Sequence, residues 1–321
     1  LLAYGRLAQL DLSQLRPGAR VAQDEYQKDN LADFALWKAW SPADGPVGWE
    51  APWGRGRPGW HIECSAMSMK YLGPSFDLHT GGVDNIFPHH EDEIAQSEAA
   101  TGQPFVKYWM HCAHLVVEGR KMSKSLGNFF TLRDLRERGY NGSEIRYALL
   151  IAHYLQSLNF SFAALTAGRA ALQRLDEFQD RLAPLAGSVQ LAPDTLPPWV
   201  AQQRLAFEAA LDDDLNMPLA LAALFELVHA GHRRLDTQAL SPPEAAHIQH
   251  TLSAWDRVLG FLAKTEAQPD AAVTRLATER QAARAARQWQ AADRLRQLIA
   301  ERGWIVQDTP QGFQLKPNNL R

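Results

Sequence analysis

The sequence has few cysteines, no long apolar run and little net charge, and each shortage excludes a class of protein. Its only two cysteines are Cys64 and Cys112, which excludes a disulfide framework and indicates a reducing, cytoplasmic setting. No apolar stretch approaches the roughly 18 residues that a membrane-spanning helix needs, so no membrane partner is expected. A formal net charge of −3 excludes a basic coat over the whole surface, while leaving room for local basic faces.

The remaining composition is that of a globular protein. Of its 321 residues 46% are hydrophobic and 21% charged, which is enough for two or three domains with cores of their own. The chain has no signal peptide and opens on Leu1 rather than on Met. We therefore expect it to be a piece of a longer protein, and we expect a monomer.

The first half of the chain is patterned as α/β structure. Residues 1–56 are polar and rich in glycine and proline, which is typical of the tail of an inserted module. Residues 57–101 contain a short apolar stretch, a Gly81-Gly82 turn and a helix from His89 to Thr101. Residues 105–118 alternate aromatic and aliphatic side chains, which predicts one strand that leads into a lysine-containing loop.

The second half is patterned as helices. Apolar residues recur at spacings of three and four after residue 143, and a helical bundle is predicted over 161–263 with a proline-rich loop at 183–198. The fold class is therefore α/β followed by all-α.

The end of the chain is predicted as a separate small region. A linker at 264–270 precedes one long helix at 271–301, which Gly303 is placed to cap. A hairpin follows around Asp308 and Thr309.

The most informative local feature is the run Lys121-Met122-Ser123-Lys124-Ser125, here called the lysine loop. Two ammonium groups three residues apart, accompanied by two hydroxyls, suit a loop that closes over a triphosphate, because lysine is a mobile point charge with three donors. Nucleotidyl transfer depends mainly on placing and neutralising phosphate oxygens. Two lysines alone would favour a solvated basic turn. The complete five-residue string, together with the motifs that precede it in the chain, favours a phosphate-binding loop.

A metal site is predicted around the helix that follows Pro88. His89 and Glu93 are four residues apart, so both project from one face of that helix. With Cys64 they offer one sulfur, one nitrogen and one oxygen ligand, a mixed set suited to zinc but one ligand short of the usual four. The alternatives are a solvated His–Glu pair and a buried apolar cysteine. Cys112, with His111 and His114 beside it, is interpreted as structural.

Several longer strings stand in order along the chain. They are Pro58-Gly59-Trp60-His61-Ile62-Glu63-Cys64-Ser65-Ala66-Met67, His79-Thr80-Gly81-Gly82-Val83-Asp84, Phe87-Pro88-His89-His90-Glu91-Asp92-Glu93-Ile94-Ala95-Gln96, the lysine loop, Ile145–Leu150, Leu211–Asn216 and Ala291–Arg296. Together they closely resemble the cysteinyl-tRNA synthetase family over nearly the whole chain.

That resemblance implies a class I synthetase, which activates an amino acid with ATP on a split Rossmann fold. The regions it implies are the tail of an inserted connective-peptide module (1–56), the second half of the Rossmann catalytic domain (57–101), a stem-contact region with the lysine loop (102–165), a helical bundle (166–265) and a C-terminal anticodon-binding domain (266–321). The first half of that catalytic domain carries a His-Ile-Gly-His signature and a further zinc cysteine, which this chain lacks. We therefore expect residues 1–321 alone to be inactive.

The resemblance also assigns roles around the substrate cysteine. Cys64, His89 and Glu93 look like three of the four ligands of one zinc ion per chain, which binds the substrate thiolate and rejects serine. Trp60 resembles the aromatic wall of the cysteine pocket, and His79 resembles a histidine close to the substrate. A core tryptophan is the alternative for Trp60.

The nucleotide roles follow in the same way. Asp84, with Gly82 before it, resembles the carboxylate that binds the adenosine ribose, and a turn-capping aspartate is the alternative. Lys124 resembles the loop lysine that contacts ATP, with Lys121 assisting, and ATP would enter with Mg²⁺. Family members often have Asn at the position of Asp92.

A basic face near the end of the chain is the candidate RNA contact. Residues 266–321 carry nine Lys and Arg against six Asp and Glu. Arginines, or Trp289 and Trp304, could stack on unpaired bases of tRNA(Cys), while a solvated helical face is the alternative. The arginines on the predicted long helix are Arg275, Arg280, Arg284, Arg287, Arg294 and Arg296.

Two other functions remain open beside the ligation of cysteine to tRNA. A ligase of the same fold that joins cysteine to an amino-sugar shares the pocket and the lysine loop, but should lack the basic C-terminal helix. A non-catalytic tRNA-binding paralogue has no use for a thiol, an imidazole and a carboxylate together with the loop lysines.

Overall fold

The computed structural model describes residues 4–9, 33–187, 196–262, 269–309 and 312–317. They form two compact units. The first contains the described residues up to His114 together with Tyr154–Leu158, and the second contains the others. Among the described residues, no helix combines the length and the apolarity that crossing a membrane requires.

The first unit is an α/β arrangement. Its elements are β1 (Trp37–Ala39), β2 (Gly56–Pro58), α1 (Trp60–Leu72), β3 (Phe76–Gly82), α2 (Glu91–Thr101) and β4 (Val106–Cys112). β1 and β2 pair antiparallel, whereas β3 and β4 pair in parallel and are joined through α2 as a βαβ unit. α1 packs on α2, and this contact brings the first two turns of α1 close to the first turn of α2.

The approach to α2 differs from the prediction. Gly81 and Gly82 are not a turn but the last two residues of β3. α2 begins at Glu91 rather than at His89, because Pro88 holds the preceding residue Phe87 extended (φ −138°, ψ 132°) inside an irregular helical turn.

The strand predicted over 105–118 is two strands. β4 ends at Cys112 and β5 (Leu115–Val117) begins three residues later. Between them the backbone bonds to the segment 154–158 instead, since Ala113 N donates to Tyr154 O and Leu158 N donates to His114 O.

The second unit begins with a small sheet and two short helices. β6 (Arg120–Lys121), β5 and β7 (Leu158–Phe160) lie in the order β6-β5-β7. The helices α3 (Leu132–Glu137) and α4 (Gly142–Leu150) both start with a capping box. A core of five buried apolar side chains joins these elements: Leu135, Ile145, Ala148, Phe160 and Leu165. The lysine loop leaves this scaffold after β6.

The predicted helical bundle is confirmed over the described part of 161–263. Its helices are α5 (Phe162–Ala186), α6 (Pro198–Asp212), α7 (Met217–Asp236) and α8 (Pro242–Leu259). They share a large core that includes Phe178, Leu224 and Leu259. α5 continues through Pro184 in its last turn, so the loop starts later than residue 183, and residues 188–195 lie outside the described residues.

The C-terminal region contains two helices where one was predicted. α9 (Ala271–Ala285) and α10 (Trp289–Glu301) are separated at Arg287, which has a positive φ of 56°. Gly303 follows α10 with φ 78°, as a helix-terminating glycine does. The predicted hairpin is confirmed as β8 (Trp304–Thr309) paired antiparallel with β9 (Gly312–Pro317). Of the predicted linker, residues up to 268 lie outside the described residues.

Candidate functional site

The structure brings Cys64, His89 and Glu93 together in the first unit. One ligand atom from each lies within 4.8 Å of the others. Cys64 comes from the second turn of α1, Glu93 from the first turn of α2, and His89 from the turn just before it. Glu93 is fully buried and His89 nearly so, whereas Cys64 is half-buried. The three donor atoms are therefore close enough together to share one ion.

The donor set fits a metal ion. Burial raises the pKa of Glu93, but the hydrogen bond from His79 and the approach of His89 lower it to about 2, so the carboxylate is ionised. His89 Nε2 lies 3.0 Å from Glu93 Oε1 but out of line for a hydrogen bond, and this buried oxygen has no hydrogen-bond partner within the described chain. A buried carboxylate oxygen left without a donor is what a cation would satisfy.

The thiol also fits this interpretation. Burial raises the pKa of Cys64, and the charges of Glu93 and Glu63 raise it further. Such a thiol becomes a thiolate ligand when a cation compensates both carboxylates. Sulfur, nitrogen and oxygen donors at three positions match zinc with a position to spare.

A second group of possible ligands shares Glu93. His79 Nε2 lies 2.9 Å from Glu93 Oε2, and His79, His90 and Glu93 form another cluster within 4.8 Å. Burial lowers the pKa of His90 to about 4, and its Nδ1 lies 2.8 Å from Nε2 of His111. Gly81 allows this packing, because a Cβ there would lie 2.6 Å from Cε1 of His90.

Trp60 is an exposed ring beside the metal ligands rather than a core side chain. It is 61% exposed, although it begins α1, and its ring centroid lies 4.7 Å from that of His89. The exposed indole thus packs against the buried imidazole of His89.

Asp84 and Gly82 lie where β3 ends. Gly82 is the last residue of that strand, and Asp84 is exposed in the 3₁₀ turn Val83–Asn85. The carboxylate of Asp84 folds over Gly82, since a Cβ on Gly82 would lie 2.3 Å from Oδ1. Among the described residues no donor of the turn bonds this carboxylate, which removes the support for a turn-capping role.

The lysine loop belongs to the second unit and has a defined shape. The Asn128 side chain accepts from Ser123 N at 2.9 Å and donates to the carbonyls of Lys121 at 3.0 Å and Val117 at 3.3 Å. The hydroxyls of Ser123 and Ser125 are 2.7 Å apart. The sequence showed Asn128 next to the loop but not that it holds the loop together.

Both lysines of the loop are exposed. Lys124 Nζ lies 5.6 Å from the centroid of the Phe129 ring. Within the described part of the chain, neither Lys121 nor Lys124 forms an ion pair. Their charge is therefore available to an anionic ligand.

The arginines predicted on one helix differ in burial and in their ion pairs. Arg280 is buried and donates to both carboxylate oxygens of Asp308, at 2.7 and 3.1 Å, so it is structural. Trp304 packs in the core of this region, while Trp289 is 57% exposed. Arg294 is exposed on α10 and forms no ion pair with another described residue.

Sequence reasoning missed three residues that surround the metal ligands. His61 Nδ1 lies 2.7 Å from Nδ1 of His89, and Asp92 is fully buried with its Oδ1 accepting from the Tyr4 hydroxyl at 2.5 Å. The sequence does show three consecutive acidic residues directly after a His-His pair. It does not show that all three acidic side chains are buried.

Comparisons with known proteins identify the class. Residues 1–170 match the family model described as "tRNA synthetases class I (C) catalytic domain", and residues 206–263 match the DALR domain. The fold is also similar to that of LeuRS from Agrobacterium radiobacter K84, solved with tRNA and LeuAMS, at a TM-score of 0.53 and 16% identity over 67% of this chain and 33% of that one. The protein is thus built as a class I aminoacyl-tRNA synthetase.

Sequence relatives narrow the class to one family. The cysteine–tRNA ligases of Chlamydia abortus, Chlamydia muridarum and Chlamydia pneumoniae are 47%, 48% and 49% identical to it over 98% of this chain. The chain belongs to the cysteine–tRNA ligase family. It spans about two thirds of the length of these curated relatives, namely 66%, 68% and 67%.

Proposed function

We propose that this chain serves the ligation of cysteine to tRNA(Cys). In the first step ATP and L-cysteine form cysteinyl-adenylate and release pyrophosphate. In the second step the cysteinyl group passes to the tRNA and AMP leaves. The observation that carries the proposal is the Cys64–His89–Glu93 cluster with its unsatisfied buried oxygen, in a chain of this family.

Cys64, His89 and Glu93 would hold one zinc ion. When bound, zinc supplies a soft Lewis acid with a position for the thiolate of cysteine, which a serine hydroxyl fills poorly. The protein's contribution is the ligand set: Glu93 is ionised before any metal arrives, and its second oxygen is held by His79. Trp60 shields the approach from water on the exposed side. Because zinc would select cysteine over serine by its donor atom, an editing site would be less necessary.

Asp84, Gly82 and the two lysines of the loop are the residues proposed to hold the nucleotide. Asp84, supported by Gly82, offers an exposed carboxylate to the ribose hydroxyls. Lys124, assisted by Lys121, would neutralise the phosphates of ATP, which enters with Mg²⁺, as the charge on the leaving pyrophosphate develops. Asn128 fixes the loop that presents both ammonium groups.

The tRNA would contact residues 102–165 near its stem and residues 266–321 near its anticodon. In the second of these regions the exposed Arg294 and Trp289 are candidates to bind phosphate or stack on a base. Arg280 is excluded from that role by its ion pair with Asp308.

The two cysteines of the chain provide a matched test. In the full-length gene product, Cys64→Ser should lose bound zinc and most cysteine-dependent ATP–pyrophosphate exchange. Cys112→Ser should keep both, because Cys112 is exposed at the end of β4 and belongs to neither cluster of possible ligands among the described residues. A zinc-loaded protein whose exchange does not respond to cysteine would refute the proposal. Exchange without charging of tRNA(Cys) would refute its second step and favour an amino-sugar acceptor.

A further inference from the structure

The lysine loop has little packing of its own. The core that joins the described elements around it contains no side chain from residues 121–128. A segment with few buried apolar contacts opens easily unless the chain on either side of it is held in place. The contacts at the two ends of the loop therefore influence how Lys124 is presented.

The entry to the loop is held through Glu118. This residue lies in the turn between β5 and β6, with a φ of 50°, and β6 leads directly into the loop. Its backbone N donates to Phe160 O at 3.2 Å, and its Oε1 accepts from Phe162 N at 3.0 Å. Phe162 is the first residue of α5, where a backbone N–H has no partner within the helix and a negative charge is favoured. The hairpin is thus fastened to the start of α5.

The exit from the loop is held by the side chain of the same residue. Phe130 lies where the chain leaves the loop, and its ring centroid is 5.1 Å from that of Phe162, edge to face at 76°. The guanidinium carbon of Arg138 lies 4.8 Å from the centroids of both rings. The Tyr140 ring stacks on Phe162 at 6.2 Å. The chain that leaves the loop is therefore held at the residue that also holds the chain entering it.

Holding both ends at one residue limits the conformations that the loop can adopt. The hydrogen bonds of Asn128 fix the interior of the loop, whereas Phe162 fixes its ends. A loop that is already ordered loses less conformational freedom when it closes on a ligand, so its charges bind more strongly.

We propose that Phe162 is a positioning residue for the lysine loop: its backbone N–H holds Glu118 at the entry and its ring holds Phe130 at the exit, so that Lys124 is presented to phosphate. The proposal rests on the role that the proposed function gives to Lys124. One hydrogen bond, or one aromatic pair, typically changes an equilibrium about 2- to 10-fold.

Trypsin digestion of residues 1–321 tests the anchoring. Phe162→Leu and Glu118→Ala should each raise the rate of cleavage after Lys121 and Lys124 about 2- to 10-fold, as read from the masses of the fragments. Phe162→Tyr keeps a ring and Glu118→Gln keeps an acceptor, so both should remain within about twofold of the unmodified chain. Glu118 is exposed, so its variants should fold even if a change at Phe162 prevents folding.

A general loss of stability is separated by a matched control in the same helix. Leu172 is a fully buried residue of α5 that belongs to the core of the bundle and not to the core beside the loop. Leu172→Val should lower the melting temperature and leave cleavage of the loop within about twofold. Cleavage that rises as much in Leu172→Val as in Phe162→Leu would overturn the proposal. Unchanged cleavage in Phe162→Leu or in Glu118→Ala would overturn it as well.

Pyrophosphate exchange by the full-length gene product tests the link to Lys124. Phe162→Leu should lower kcat/KM for ATP about 2- to 10-fold on its own, but less than about twofold in a Lys124→Ala background, because its effect passes through that lysine. Equal losses in both backgrounds would reveal a purely structural role and overturn the proposal. The two proposals can fail separately: exchange that does not depend on Lys124 refutes its phosphate role, while digestion still decides whether Phe162 anchors the loop.

Discussion

Replacement of Asn128 by alanine should loosen the lysine loop without unfolding the protein. Asn128 makes three hydrogen bonds, from Ser123 N and to the carbonyls of Lys121 and Val117, at 2.9, 3.0 and 3.3 Å. None of the apolar side chains in the nearby core belongs to the loop between residues 121 and 128. The loop's shape therefore depends on this side chain more than on packing.

The magnitude follows from the number and quality of these bonds. A net contribution of about 0.5–1.5 kcal/mol is usual for one intramolecular hydrogen bond. Two bonds of good length and one long bond, in a partly exposed loop, give a total of about 1–2 kcal/mol. At 1.4 kcal/mol for each factor of ten, the ratio of ordered to open loop should fall roughly 5- to 30-fold.

Two assays measure this change. Trypsin should cleave Asn128→Ala faster after the exposed Lys121 and Lys124, and kcat/KM for ATP in pyrophosphate exchange by the full-length gene product should fall by the same factor. Asn128→Asp keeps the acceptor and should be intermediate. Asn159→Ala is the matched control, because Asn159 accepts from Gly119 N at 2.8 Å in the neighbouring hairpin. Unchanged proteolysis and exchange in Asn128→Ala would refute the reasoning.

Two further substitutions separate structural from functional roles. Arg280→Ala should lower the free energy of unfolding by about 1–2 kcal/mol, since the arginine is buried but Asp308 is half exposed. Arg280 holds the pKa of Asp308 below 3.8, so the loss relative to the unmodified chain should shrink as pH falls below that value; a loss that grows in acid would contradict this. Gly81→Ala should weaken metal binding, because the added Cβ would displace His90. Gly142→Ala should not weaken it, because a Cβ added there would have no neighbouring atom within 4 Å. Equal effects of the two substitutions in cobalt titrations would contradict this.

Patterns that are local in the sequence predicted the helices and the hairpin. They did not predict where a helix ends when neither glycine nor proline marks its end. The bundle over α5–α8 and the strands β8 and β9 follow from apolar spacing. The division of the predicted helix 271–301 falls at Arg287, within a run of alanines, arginines and glutamines that favours continuous helix. Packing of α9 against α10 around Ile299 outweighs that local preference.

Spacing also predicted part of the candidate site. His89 and Glu93 meet as four-residue spacing implies, even though the helix starts two residues late. The contact from Tyr4 to Asp92 spans 88 residues and that from His61 to His89 spans 28. No periodicity carries information over such separations, so only the folded structure shows which carboxylate meets which imidazole.

The two parts of the proposed machinery should respond separately to mutation. Cys64, His89 and Glu93 all belong to the first unit, and Asn128 belongs to the second together with every group it bonds. Changes that share no partner usually act additively. Asn128→Ala should therefore keep cobalt affinity within about twofold, and Cys64→Ser should leave trypsin cleavage of the lysine loop unchanged. If either variant altered the other's measurement, the metal site and the phosphate loop would be energetically coupled, and their roles could not be assigned from separate substitutions.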